Sequence, residues 1–96
     1  GATDHDYLRC WNEKIRPALD TFKPDCLFIS AGFDADARDP IGGLNLTPSG
    51  FEKLTYGVSE WSKQACDGRI ISGLEGGYNI QALGEDVSLH VNALLG

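Results

Sequence analysis

Along the first quarter of the chain the apolar positions Tyr7, Leu8, Trp11, Ile15, Leu19 and Phe22 recur at helical spacing. Thr3 stands at the N-cap position, with Asp6 in the favourable place for a capping box. Lys23-Pro24 ends the pattern. Pro17 lies inside it and predicts a bend or break, because a mid-helix proline removes one backbone hydrogen bond and crowds the preceding turn. Cys26 to Ser30 (CLFIS) is a continuous apolar run between Asp25 and Gly32, which suits a parallel strand covered on both faces. From Ala31 to Asn45 no period survives. Gly32, Asp34, Asp36, Asp39, Pro40, Gly42 and Gly43 predict a long structured loop there, a kind that in compact domains is usually functional or disordered.

The helical period resumes at Thr47-Pro48, with Thr47 as cap and Pro48 in the first turn, where its missing N–H costs nothing. Phe51, Leu54, Val58, Trp61 and Ala65 form the apolar stripe, and Asp67-Gly68 stops it. RIISGL, Arg69 to Leu74, reads as a second short buried strand. EGGYN then turns into a third helix, whose expected buried face is Ile80, Leu83, Val87, Val91 and Leu94. The order α-β-α-β-α makes an α/β fold, a parallel sheet with helices on its faces and a right-handed crossover. Two strands are too few for such a sheet. The chain of 96 residues also contains no Met. Both features lead us to expect a portion of a longer domain, poorly stable alone, with sheet edges prone to association.

Composition is that of an ordinary globular protein, 42% hydrophobic and 23% charged. Eight basic residues against fourteen acidic ones give a net charge of −6. The basic residues are scattered, which argues against a nucleic-acid partner. Cys10, Cys26 and Cys66 are far apart with no C-x-x-C pair, so they read as reduced packing residues of a cytosolic-type compartment. The expected location is cytoplasmic, or also nuclear in a eukaryote. No apolar run approaches the roughly 20 residues of a membrane span, and no membrane partner is expected.

Ligands of open α/β sheets bind beyond the carboxyl ends of the strands. The turns AGFDA and EGGYN both fall at that edge, so Asp34 and Tyr78 are candidates to face one crevice. Asp34 is either a ligand for a hard or borderline cation or a turn aspartate bonding its own backbone. Tyr78, after two glycines that let the backbone approach a ligand, is either a donor to a developing oxyanion or a packing residue at a helix start. LEGGYN lacks the G-x-G-x-x-G of a dinucleotide site. His5 reads as an exposed first-turn residue. His90, near the end of the last helix, sits where the dipole favours a cation and receives no catalytic role.

SAGFDA, then DPIGGLNLTP, then LEGGYN after a second strand closely resemble the C-terminal part of the zinc-dependent histone deacetylase superfamily, nearest to its class II and bacterial amidohydrolase-like branch. GATDHDYL and FKPDCLFIS fit as well, so the similarity spans residues 1–96. It implies an arginase-like three-layer α/β fold in which this chain is the C-terminal portion of one catalytic domain. It further implies zinc, or another divalent metal such as iron, bound by two aspartates and a histidine at the strand ends. On the matching positions Asp34 is the second aspartate ligand and Tyr78 the residue that steadies the tetrahedral intermediate. Ile41 with Gly42 and Gly43 matches the lip of the substrate tunnel, and Gly76 and Gly77 lie against the substrate.

The implied reaction is hydrolysis of an N-acetyl amide, acetyl-lysine in proteins first, with acetylated polyamines or other small acetyl-amines as the alternative. Relatives specialised for acetylpolyamines can carry an acid in the lip loop. Ile41 at that position speaks against that version. A binding protein that has lost catalysis is the reading from another class, and retention of both Asp34 and Tyr78 counts against it. The family's paired histidines and its Asp-x-His segment have no counterpart here. One carboxylate cannot supply a three-ligand zinc site, so the chain alone is expected to be inactive.

Overall fold

A computed structural model describes residues 1–96. The chain opens with helix α1 (Asp4–Cys10), a π turn (Trp11–Ile15) and helix α2 (Arg16–Phe22). Asp6 accepts a hydrogen bond from the Thr3 N–H at 2.9 Å, which closes the start of α1 as its sequence suggests. Pro17 does not break the helix. The irregularity falls just before it, where the Arg16 N–H reaches back five residues to the Trp11 carbonyl. That wider turn puts Pro17 in the first turn of α2, where no donor is needed. Lys23, at φ 56°, ends α2 in the left-handed region.

Strands β1 (Leu27–Ala31) and β2 (Ile70–Leu74) pair in parallel from Leu27↔Ile70 to Ala31↔Leu74. Between them runs α3 (Pro48–Ala65), and α4 (Ile80–Leu95) follows β2. The Thr47 hydroxyl caps α3 by accepting from the Gly50 N–H at 3.2 Å, and Asn79 caps α4 through the Ala82 N–H at 3.0 Å. Helices α3 and α4 pack on each other and cover the sheet face that carries Ile29 and Ser72. The other face, with Phe28 and Ile71 side by side, is open within these residues. The strands are therefore covered on one face, not on both.

The core is Ala31, Phe33, Ala35, Leu46 and Phe51, with Ile29, Leu54, Leu83 and Val87 against it. Phe33 and Phe51 meet at 5.1 Å between ring centres, tilted by 60°. Burying Leu46 completely is worth about 1.5–3 kcal/mol. Three of the five core residues, Phe33, Ala35 and Leu46, thus belong to the long loop or its end, which is why it is ordered without a helix or strand of its own.

Helix faces differ in detail from the expected stripes. In α3 the buried positions are Gly50, Phe51, Thr55, Ser59 and Ser62, whereas Ala65 is exposed. Small polar residues sit inside because they bond locally, as Thr55 does to the Phe51 carbonyl at 2.8 Å, and let α4 approach closely. In α4, Ala82, Asp86, His90 and Ala93 are buried, while Ile80 and Val91 point outwards. Cys66 is a buried free thiol as expected; Cys10 is not a packing residue, since it lies on the outward side of α1.

Candidate functional site

Because β1 and β2 are parallel and in step, the segments after them leave from one edge. Two further backbone bonds extend the ladder past the strands, from the Glu75 N–H to the Ala31 carbonyl at 2.9 Å and from the Phe33 N–H to the Gly76 carbonyl at 2.8 Å. Asp34 follows Phe33 directly, and Tyr78 comes two residues after Gly76. The sheet thus delivers both candidate residues to the same place.

Gly76 marks where they meet. A Cβ built on it would lie 3.0 Å from Asp34 Oδ2 and 3.5 Å from Tyr78 Oη. Both oxygens therefore converge over one glycine, and any side chain there would intrude between them. Gly32 supports the carboxylate from the other side, its built Cβ falling 3.3 Å from Asp34 Oδ1. Gly77 turns the chain at φ +143°, and a side chain on it would strike Leu83 at 2.6 Å. Tyr78 is about half exposed, and Ile41, two residues after Asp39, is 70% exposed.

The three acids of the loop have separate fates. Asp36 is buried and grips Arg38, with Oδ1 accepting from Nε at 3.0 Å and Oδ2 from Nη2 at 2.8 Å. These bonds hold its carboxyl well below the usual range. Asp39 turns inwards too. Its Oδ1 accepts from the Ile41 and Gly42 N–H groups at 2.8 and 3.0 Å, and its Oδ2 from the Tyr78 N–H at 2.7 Å. Burial pushes the Asp39 carboxyl up, but the three N–H groups outweigh it and leave the pKa lowered. Asp34 shares in none of these bonds; it is half-buried, and its carboxylate accepts no hydrogen bond from the rest of the chain.

A fixed carboxylate of that kind fits one ligand position of a divalent cation. No group of three or more His, Cys, Asp or Glu side chains comes together in the chain, so Asp34 can furnish one ligand of such a site and no more. His5 is exposed on α1, as its position suggests. His90 departs from expectation. Instead of a helix-end cation it is a buried group whose pKa burial lowers. Its Nδ1 meets Thr55 Oγ at 2.7 Å and its Nε2 meets Ser72 Oγ at 2.8 Å, which ties α4 to α3 and β2.

Two features of the site were missed in the sequence. Asp39 bonds the backbone of a residue 39 positions away, and nothing local marks it beyond an Asp-Pro turn signal. Asp86 is completely buried beside the Asp36–Arg38 pair, with Arg38 Nη2 at 3.8 Å and no hydrogen-bond partner for either oxygen. Burial first, and then the Asp36 carboxyl, push Asp86 up to about 7. An acid at a helical core position was the available signal.

Residues 1–94 match the family model described as the histone deacetylase domain. Histone deacetylase 18 of Arabidopsis thaliana is 41% identical over 95 residues, which are 99% of this chain and 13% of that protein. The chloroplastic histone deacetylase 10 of Oryza sativa subsp. japonica is 43% identical over 93 residues, 95% of this chain and 21% of that one. Among solved structures, the HDA15 HD domain superposes with a TM-score of 0.89 at 34% identity, covering all of this chain and 26% of that one. The chain thus spans between an eighth and about a quarter of these three proteins. Its α-β-α-β-α order and small parallel sheet match the arginase-like fold of those structures.

Proposed function

Because the chain belongs to the histone deacetylase family, we propose that it is the C-terminal portion of a metal-dependent amidohydrolase domain that removes acetyl groups from lysine side chains of proteins. Asp34 is assigned as one metal ligand and Tyr78 as the oxyanion donor. Zinc is the favoured metal, with iron as the alternative. When bound, the metal would polarise the amide carbonyl and acidify a water molecule.

The chain's own residues set the rest. Tyr78 Oη, converging with Asp34 Oδ2 over Gly76, donates its proton in a hydrogen bond to the carbonyl oxygen as negative charge develops there. Gly76 carries no side chain to come between Asp34 and Tyr78, which leaves their crevice open to the amide, and Gly77 turns the chain towards Tyr78. Ile41, apolar and exposed, lies against the methylenes of the substrate stem. Neither histidine of this chain is assigned the proton transfer from water to the leaving amine, since His5 is an exposed first-turn residue of α1 and both ring nitrogens of His90 are engaged. That base belongs to another part of the domain.

The observation that carries the reading is the meeting of a carboxylate free to bind with a phenol at one glycine. It is tested on the full-length protein loaded with zinc, using an acetyl-lysine peptide and an acetylated polyamine side by side. Faster turnover of the peptide supports the reading, together with a fall of about 10²- to 10³-fold in kcat for Tyr78→Phe. Preference for the polyamine replaces the substrate, and no turnover of either overturns the hydrolase assignment.

A further inference from the structure

We propose that Asp39 is a positioning residue for Tyr78, a carboxylate clamp that locks the tyrosine and the Ile41 segment into one rigid unit; this rests on the hydrolase reading above. Both oxygens of Asp39 are committed to backbone donors, Oδ1 to Ile41 and Gly42 and Oδ2 to Tyr78. Such charge-assisted bonds are roughly twice as strong as neutral ones. The residue is 9% exposed, so little water competes for them.

The clamp is placed where the chain needs it. Gly76 and Gly77 must be glycines to leave room for Asp34 and Leu83, and glycines loosen the backbone that leads to Tyr78. A donor that works on a transition state has to be fixed before the reaction, because displacement by about 1 Å costs on the order of 10²-fold in rate. Asp39 restores that stiffness from across the crevice. Its other end holds Gly42, whose Cα abuts the Asp34 backbone, so the clamp refers Tyr78 to the residue it must face. Asn79 adds a second tie next door, its side-chain amide donating to the Arg38 carbonyl at 3.0 Å.

The test uses the full-length protein and compares Asp39→Asn in the native and Tyr78→Phe backgrounds. Asparagine keeps the shape but turns one acceptor into an N–H that faces another N–H. In the native background kcat is expected to fall by about 10- to 100-fold with KM changed much less. In the Tyr78→Phe background the same substitution should cost less than about threefold, since both act through one hydroxyl. Hydrogen exchange at the Tyr78 amide is the readout independent of turnover. It should speed up by at least about tenfold in Asp39→Asn, while the Ile29 amide in β1 is unchanged. Equal losses in the two backgrounds, or an unaltered Tyr78 amide, overturn the proposal. If the native protein hydrolyses no acetyl amide yet the Tyr78 amide responds to Asp39, the hydrolase reading fails and the clamp stands. Should Asp39→Asn not fold, Asp39→Glu, with both acceptors on a longer stem, is read by the same exchange measurement with the same two outcomes.

Discussion

A side chain on Gly42 would collide with the carbonyl oxygen of Asp34, so the Gly42 turn and the strand-end aspartate are held at a spacing that only glycine permits. The obstacle is backbone, which cannot swing aside as the tip of a side chain could. Gly42→Ala is therefore expected to push the two segments apart and to cost on the order of 1–3 kcal/mol in urea denaturation of the full-length protein. A neutral result would mean that the loop shifts freely and does not brace Asp34.

Metal binding provides a second prediction. Asp34→Asn keeps the shape of the side chain and removes its charge, and the residue is outside the hydrogen-bond network that orders the loop. The variant should fold as the native protein does but retain far less metal, by about tenfold or more in affinity. Elemental analysis after dialysis against a weak chelator reads this directly. Full metal content in a folded Asp34→Asn variant would remove the residue from the ligand set.

Asp86 sets a pH dependence whose sign follows from its burial. Its folded pKa, about 7, lies above the ordinary 3.8, so the folded protein holds the proton more tightly than the unfolded chain does. This contribution to stability is present in full below about 3.8 and is lost as pH rises through about 7. The groups that face it are Asp36 and Arg38 from the loop and Glu85 on its own helix. Asp86→Asn mimics the protonated form. The variant should gain stability over the native protein as pH rises from about 3.8, with a gain near pH 8 that exceeds the gain near pH 5 by about 1–3 kcal/mol, as measured by urea midpoints. A gain of the same size at both pH values would refute the assignment.

His90 acts in the opposite direction. Burial lowers its pKa from 6.5, so the folded protein keeps the ring neutral and the unfolded chain takes up a proton first. Stability from this group is complete above about pH 6.5 and falls as pH drops below it. Thr55, Ser72 and the Phe33 ring, 5.5 Å away, surround the imidazole, and none carries a charge to offset the proton. His90→Gln should lose about 1 kcal/mol at neutral pH through weaker bonding. It should also lose stability less steeply than the native protein on acidification. Parallel slopes for the two proteins would show that His90 titrates as it does in the unfolded chain.

Local chemistry explains how much of this was legible beforehand. Helix starts at Thr3 and Thr47, the strand runs CLFIS and RIISGL, and the glycine-rich turns after them are written in neighbouring residues, and each appears within a residue of where the sequence places it. Apolar periodicity was a weaker guide to which side of a helix is inside. On α4 it put Ile80 and Val91 in the core, but Asp86 and His90 occupy it: His90 bonds across to α3 and β2, and Asp86 lies 3.8 Å from Arg38 of the loop. Pro17 shows the same limit. The sequence announced an irregularity, and the helix absorbed it one turn earlier as a π turn around the buried Trp11.

By itself, then, the sequence determined the order of elements and the two turns that carry Asp34 and Tyr78, since helix period, short apolar runs and turn chemistry act over a few residues. The tertiary structure alone decided which loop acid stays free. Asp34, Asp36 and Asp39 are chemically alike and nearly adjacent, and they are sorted by what the fold brings to them: an arginine and a buried acid for Asp36, the Tyr78 backbone for Asp39, and two bare glycines for Asp34.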